Sequence, residues 1–206
     1  MRKKLVVLGG GGLGREIVYY LMDSIEKGHV ADAELVGVAD QDPNCEVART
    51  TPSCRFLGTI DDLVNNDDYS YITAIASPKV RRVIAQRFAN QNFFSYIHPS
   101  STVARDAIIG DGAIVGPGAV VNSGARLGKC CLVNVLCSIG HGAVVGDFSV
   151  LSPYSALNGN SEIGNSCFLG TRATIFPGVK IGDHCIVGMG QRVRHDLSDH
   201  SKYVGN

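Results

Sequence analysis

Six histidines are the side chains best suited to moving a proton near neutral pH: His29, His98, His141, His184, His195 and His200. An imidazole titrating near 6.5 takes a proton from a nucleophile and hands it to a leaving group, the work of a general base and acid. His29 falls in a predicted surface loop, and His195 and His200 fall in a polar tail. His184, in the corner Gly182-Asp183-His184, reads as a solvated side chain, and His98 reads as structural. His141 lies in Ile139-Gly140-His141-Gly142, at a predicted corner in mid-repeat, and is the first candidate for a general base. A second constellation is Gly9-x-Gly11-x-x-Gly14, placed after an apolar run and before a helical pattern. Glycines there let backbone approach a phosphate, and a helix N-terminus favours negative charge. A tight strand-to-helix turn without a ligand is the simpler reading of the same glycines. The seven cysteines form no C-x-x-C pair and show no Cys/His spacing of a zinc site, so no metal is expected.

A six-residue repeat positions His141. Stepping by six from Ile97 through Val115, Val133, Ile139 and Leu157 to Val193 meets 17 aliphatic residues in succession. In a chain that is 45% hydrophobic, chance places even a hydrophobic residue at all of them about once in a million trials. Four residues after each leader, from Ser101 to Val179 and Cys185, stands Ala, Ser, Cys or Val; only Gln191 departs. Cys131, Cys137, Cys167 and Cys185 fall there and are expected to be small, buried, reduced thiols. Glycine recurs one residue after the leader, as at Gly110, Gly128, Gly140, Gly146, Gly170 and Gly188, and is expected to form the tight corners. Each hexapeptide is then one short strand and one corner. Three close an 18-residue coil, and just over five coils stack as parallel strands into a triangular prism with no long loop. In such a stack His141 lies between Ser123 and Gly159.

The first 96 residues read differently. Leu5–Leu8 is a buried strand, Arg15 to about Lys27 a helix, Glu34–Asp40 a second strand ending in a carboxylate, Ile72–Ala76 a third strand, and Lys79 to Asn90 another helix. Alternation of this kind implies a parallel α/β sheet of about four strands. Two domains follow: 1–96, α/β and Rossmann-like, and 97–206, the β-helix. Lys+Arg and Asp+Glu number 19 each, and this balance gives no reason to expect nucleic acid as a partner. No apolar run reaches membrane-spanning length. The basic-then-apolar start at Met1 meets glycines too soon for a signal peptide, so a cytoplasmic protein is expected.

The Gly-rich start, Ala39-Asp40, the Ile97-His98-Pro99-Ser100 entry and the stretch Asn134 to His141 together resemble one group of hexapeptide-repeat acyltransferases. These are the bacterial nucleotide-sugar acetyltransferases, which N-acetylate UDP-linked bacillosamine precursors or GDP-linked perosamine, together with the sialic-acid O-acetyltransferases. The resemblance implies a left-handed parallel β-helix and a homotrimer with active sites in clefts between subunits. It implies acetyl-CoA as co-substrate and a nucleotide-linked 4-amino-4,6-dideoxysugar as acceptor, for surface-glycan biosynthesis. His141 matches the family's base and Asn134 an orienting amide, while Gly11, Gly12 and Asp40 match positions near the acceptor's nucleotide. The chain departs at Gly142, where many members carry an acidic residue; Ser123, Asp147 or a neighbouring subunit is then left to orient His141. Gly159, Gly170, Gly188 and Gly190 along the prism are expected to admit the pantetheine arm. Arg192, with Arg172, Lys180 and Arg194, is expected to meet CoA phosphates. Rival readings are O-acetylation of a sugar or sialic-acid hydroxyl, a non-catalytic nucleotide-binding trimer, and a prism-type carbonic anhydrase using His98, His141 and His184.

Overall fold

The computed structural model describes residues 2–64 and 66–205; Met1, in the expected start of the first strand, and Asn65 and Asn206 lie outside it. The chain divides into two compact units, Met1–Ala76 with Val83–Phe94 and Ser77–Arg82 with Ser95–Asn206.

The first unit is a small α/β structure. Its strands β1 (Lys3–Leu8), β2 (Ala33–Ala39), β3 (Tyr69–Thr73) and β4 (Asn92–Phe93) form one sheet in the order β2-β1-β3-β4, with every pairing parallel. Leu5 to Leu8 are all fully buried, as a central parallel strand requires. Helix α1 (Gly12–Glu26) begins three residues earlier than expected, because the glycine turn itself supplies the cap at Gly11. The third expected strand begins and ends three residues earlier, at β3. A short helix α2 (Glu46–Thr50) was not foreseen; α3 spans Pro78–Arg87. Among the described residues no helix is long and apolar enough to cross a membrane.

The second unit is a left-handed parallel β-helix. Two-residue strands recur every six residues from Tyr96–Ile97 to Arg192–Val193, and each pairs with the strand 18 residues on. Three flat faces result. Face I runs through Tyr96–Ile97, Ile114–Val115, Leu132–Val133 and on to Lys202–Tyr203. Face II runs from Thr102–Val103 through Ser138–Ile139 to Arg192–Val193, and face III from Ile108–Ile109 through Val144–Val145 to Lys180–Ile181. They hold seven, six and five strands, so the stack is taller than the hexapeptide count alone gives. The added rung is Lys202–Tyr203, paired with Ile186–Val187 across 16 residues rather than 18. This shortened coil breaks the six-residue register and so escaped the periodicity.

The core follows the leaders and the small residues. Val115, Val133, Ile139, Leu151 and Leu169 are fully buried, as are Ala113, Ala125, Cys131, Ser149, Ser155 and Ser161 at the small position. Only the end coil departs: Ile97 is 40% exposed and Val103 and Ile109 are half-buried. All seven cysteines are free and buried. Burial pushes the Cys131 and Cys167 thiols up to about 12 and Cys137 up to about 11, since a thiolate would lose its hydration there.

The corners correct one expectation. The left-handed conformation falls three residues after the leaders from Ile109 to Val187, not one: Gly112, Gly118, Gly124, Cys130, Leu136, Gly142 and so on to Gly190, with φ between 49° and 72°. Glycines one residue after the leader serve another purpose. A Cβ on Gly140 would stand 2.6 Å from the Asn158 carbonyl carbon, and one on Gly146 would stand 2.3 Å from the Gly164 oxygen. They keep room for the backbone of the next coil.

Candidate functional site

His141 stands on the edge where face II turns into face III. Its coil neighbours are Ser123 below and Gly159 above: the Gly142 N–H donates to the Ser123 carbonyl at 3.0 Å, and the Asn160 N–H donates to the His141 carbonyl at 2.8 Å. The ring leans toward the upper coil. A Cβ on Gly159 would lie 2.3 Å from His141 Nε2 and 2.4 Å from Cε1. Gly159, expected to admit pantetheine, is therefore glycine because the imidazole occupies the space a side chain would take. Around the ring is a cleft of about 570 Å³, lined by Asn122, Ser123, Ser138, Asn158 and Asn160 among others, with no carboxylate or ammonium group in its lining. Asn122 and Asn158 are locked through their Nδ2 groups to the carbonyls of Ile139 and Ile175, at 2.8 and 2.7 Å.

Two of the expected orienting partners are occupied elsewhere. The Ser123 hydroxyl donates to Asp106 Oδ2 at 2.7 Å, in the coil below and away from the ring. Asp147 Oδ1 accepts the Lys129 N–H at 2.7 Å, on a different edge. Among the described residues, neither ring nitrogen of His141 has a hydrogen-bond partner. Gly142 has φ +64°, and a Cβ there would meet Asn160 Oδ1 at 2.4 Å. Cys130, Leu136 and Phe148 hold the same corner conformation, so the space taken by the Asn160 amide is what marks 142 for glycine. Asn160 itself was missed: it is 19 residues from His141, and only the coil stacking brings the two together.

Asn134 does not join His141 within one chain. It lies on the edge between faces I and II, where its Oδ1 accepts the Val135 N–H at 2.7 Å. The residues expected at CoA divide likewise. Gly170, Gly188 and Gly190 lie on Asn134's edge, and Arg192 lies on face II. Gly170 is needed by packing, since a Cβ would stand 2.6 Å from the Met189 nitrogen, whereas a Cβ on Gly190 (φ +69°) would meet open space. Above Asn134 on that edge, Tyr154, Thr171, Arg172, Met189 and Gly190 line a hollow of about 390 Å³, with the Arg172 guanidinium 5.5 Å from the Tyr154 ring centre. Lys180 is paired with Glu162 at 3.1 Å, and Arg194 lies over Phe176 at 5.0 Å.

In the first unit the glycine turn and Asp40 do come together. Asp40 Oδ2 accepts the Gly10 N–H at 2.6 Å and Oδ1 the Asp42 N–H at 2.9 Å. Gly14 is demanded by packing, since its Cβ would lie 2.0 Å from the Gly9 oxygen. Gly11, the cap of α1, has nothing within 4 Å of a Cβ, so no protein atom requires glycine there. Beside it Gly12, Arg15, Tyr19, Tyr20 and Glu46 line a hollow of about 420 Å³, with Arg15 and Glu46 paired at 3.0 Å. No group of three His, Cys, Asp or Glu among the described residues is arranged to hold a metal ion. His98, His141 and His184 sit on three different edges of the prism.

Two stretches of the sequence match family models of hexapeptide transferases. Residues 94–123 match the bacterial transferase hexapeptide and 162–193 the hexapeptide repeat of succinyl-transferase. No curated protein sequence matches the chain at a significant level. Among solved structures, the chain is similar to perosamine N-acetyltransferase from Caulobacter crescentus in complex with CoA and GDP-perosamine. The identity is 26% and the TM-score 0.85, over 98% of this chain and 94% of that one. It is also similar to the acetyltransferase domain of PglB from Neisseria gonorrhoeae in complex with acetyl coenzyme A, at 26% identity and a TM-score of 0.85, over 100% and 98%. WeeI from Acinetobacter baumannii shares the fold, at 22% identity and a TM-score of 0.83 over 99% and 97%.

Proposed function

We propose that the chain is an acetyl-CoA-dependent sugar N-acetyltransferase, moving the acetyl group to the amine of a nucleotide-linked 4-amino-4,6-dideoxysugar in the cytoplasm. The observation that carries this is His141, held over Gly159 in a cleft of neutral amides and hydroxyls, on a fold matched end to end by transferases solved with CoA and a GDP-linked amino sugar. Two of the Caulobacter structures carry a substituted histidine, Asn in one and Ala in the other.

In this reading the sugar amine enters neutral, its ammonium proton given up to water, and His141 removes one N–H proton as it attacks. The neutral nitrogen adds to the thioester carbonyl, and the tetrahedral intermediate collapses to the amide. The imidazolium returns its proton to the departing CoA sulfur. No covalent acyl-enzyme is required, and the buried, high-titrating cysteines are poor nucleophiles. The first unit, as a Rossmann-like domain of residues 1–96, holds the nucleotide at Gly11, Gly12 and Asp40. A homotrimer brings Asn134 of one subunit and His141 of another into one site, because a single chain keeps them on separate edges. CoA then lies along the prism at Gly170, Gly188, Gly190 and Arg192. The neutral lining of the His141 cleft favours an uncharged sugar over an acceptor carrying its own carboxylate, such as a sialic acid.

The test is His141→Ala. Its rate of acetylation is expected to fall about 100- to 10,000-fold with the assembly unchanged. Turnover at the wild-type rate would overturn the assignment of the base.

A further inference from the structure

A neutral imidazole acting as a base needs one ring N–H held by an acceptor, because that bond fixes both the tautomer and the ring plane. Among the described residues His141 has no such bond, and Ser123 and Asp147 are turned to other partners. Of the amides in the cleft, Asn122 and Asn158 are fixed by their own Nδ2 bonds to backbone. Asn160 alone has a side chain with no hydrogen bond among the described residues. Its position is specific. Between the same two coils, the His141 ring reaches up over Gly159 while the Asn160 amide reaches down over Gly142. The two side chains line the same cleft at adjacent steps of one corner. A Cβ at either of the facing glycines would stand within 2.4 Å of the opposite side chain and would force it to move.

We propose that Asn160 is the positioning residue of His141: a turn of its unbonded amide brings Oδ1 to accept the ring N–H and so presents the other nitrogen to substrate. This rests on the reading of His141 as the base. The charged surroundings are sparse. Along this edge the titratable side chains other than His141 are Arg105 and Asp106 in the first coil and Arg194, His195 and Asp196 in the last. On the flanking faces are Arg126, the Glu162–Lys180 pair and Arg192. None occupies the corners of His141 or Asn160, so a carboxylate placed at 160 acts on the ring without a competing neighbour in the same corner.

The local backbone chooses the variants. Asn160 has φ +57°, which glycine adopts freely and aspartate tolerates. Asn160→Gly is therefore expected to fold and to lower kcat about 10- to 100-fold with KM little changed. Asn160→Asp is expected to restore most of kcat and to move the acidic limb of the kcat/KM profile upward by about one pH unit, as a carboxylate stabilises the imidazolium. NMR titration of the His141 ring in the same proteins reads the contact without turnover: the tautomer ratio shifts in the glycine variant and the midpoint rises in the aspartate variant. Wild-type kcat, pH profile and ring titration in Asn160→Gly would overturn the proposal while leaving His141 as base. A changed ring titration beside wild-type turnover in His141→Ala would instead remove the base and keep the contact.

Discussion

Replacing Gly159 by alanine tests whether the placement of one ring governs the rate. The backbone at Gly159 is outside the left-handed region, so alanine fits the local conformation. Its Cβ, however, would stand 2.3 Å from His141 Nε2, 2.4 Å from Cε1 and 3.0 Å from Cδ2. Non-bonded heavy atoms settle near 3.5 Å, so the imidazole must retreat by about 1 Å or swing to another rotamer. A displacement of that size at a reacting group costs about 100-fold in rate, equivalent to about 2.7 kcal/mol of barrier. Folding should not suffer, because Gly→Ala at a compatible site adds about 0.4–1 kcal/mol of stability. Gly178→Ala, on the same edge one coil higher, is the control. It places a Cβ in open space at φ +72°, and is expected to cost about 1–2 kcal/mol of stability with kcat intact. The assay is release of the CoA thiol, read beside thermal unfolding. Wild-type kcat in Gly159→Ala would refute the reasoning, because it would mean that the ring's seat over Gly159 has no bearing on the chemistry.

Other consequences follow from the prism. Leu151, fully buried in the core, should cost about 2–5 kcal/mol when cut to alanine, seen as a lower denaturation midpoint. Arg81 is fully buried; its guanidinium donates to the Cys130 and Cys131 carbonyls at 2.7 and 3.2 Å, and burial lowers its pKa to about 10. Arg81→Ala should lose about 2–4 kcal/mol by leaving a void and the Cys130 carbonyl without its donor, measured by urea unfolding. The thiols of Cys54, Cys130, Cys131, Cys137 and Cys167 are raised by burial to about 11 or 12. They should resist a thiol reagent at pH 8 until the protein unfolds. Because the unfolded thiols ionise first, near 9, stability should be full below that pH and fall as it rises through 11 to 12. A flat profile there would contradict the burial.

The prism was legible because a six-residue step is a strict physical demand: every leader from Val115 to Val193 must point into a space only aliphatic side chains fill. The small position was legible for the same reason, including the four cysteines it absorbs. The left-handed corners were not, because Cys130, Leu136, Phe148 and Arg172 adopt a conformation that glycine takes at Gly112 or Gly142, so composition there carries no signal. His141 could be picked out as a corner histidine in mid-prism, but its surroundings depend on residues 17 to 19 positions away. The bond from Ser123 to Asp106 and the meeting of Asn160 and His141 in one cleft are products of coil stacking. In the first unit, the glycine turn and Asp40 were visible as a motif, whereas Glu46 beside Gly12 was hidden by the intervening chain.

The central claim is tested most directly by incubating the protein with acetyl-CoA and a panel of UDP-, dTDP- and GDP-linked 4-amino-4,6-dideoxysugars, beside their hydroxyl counterparts, and weighing the products by mass spectrometry. The expected result is the gain of one acetyl group on an amino sugar and none on the matching hydroxyl sugar. Acetylation of hydroxyl sugars alone, or of none of the panel, would contradict it.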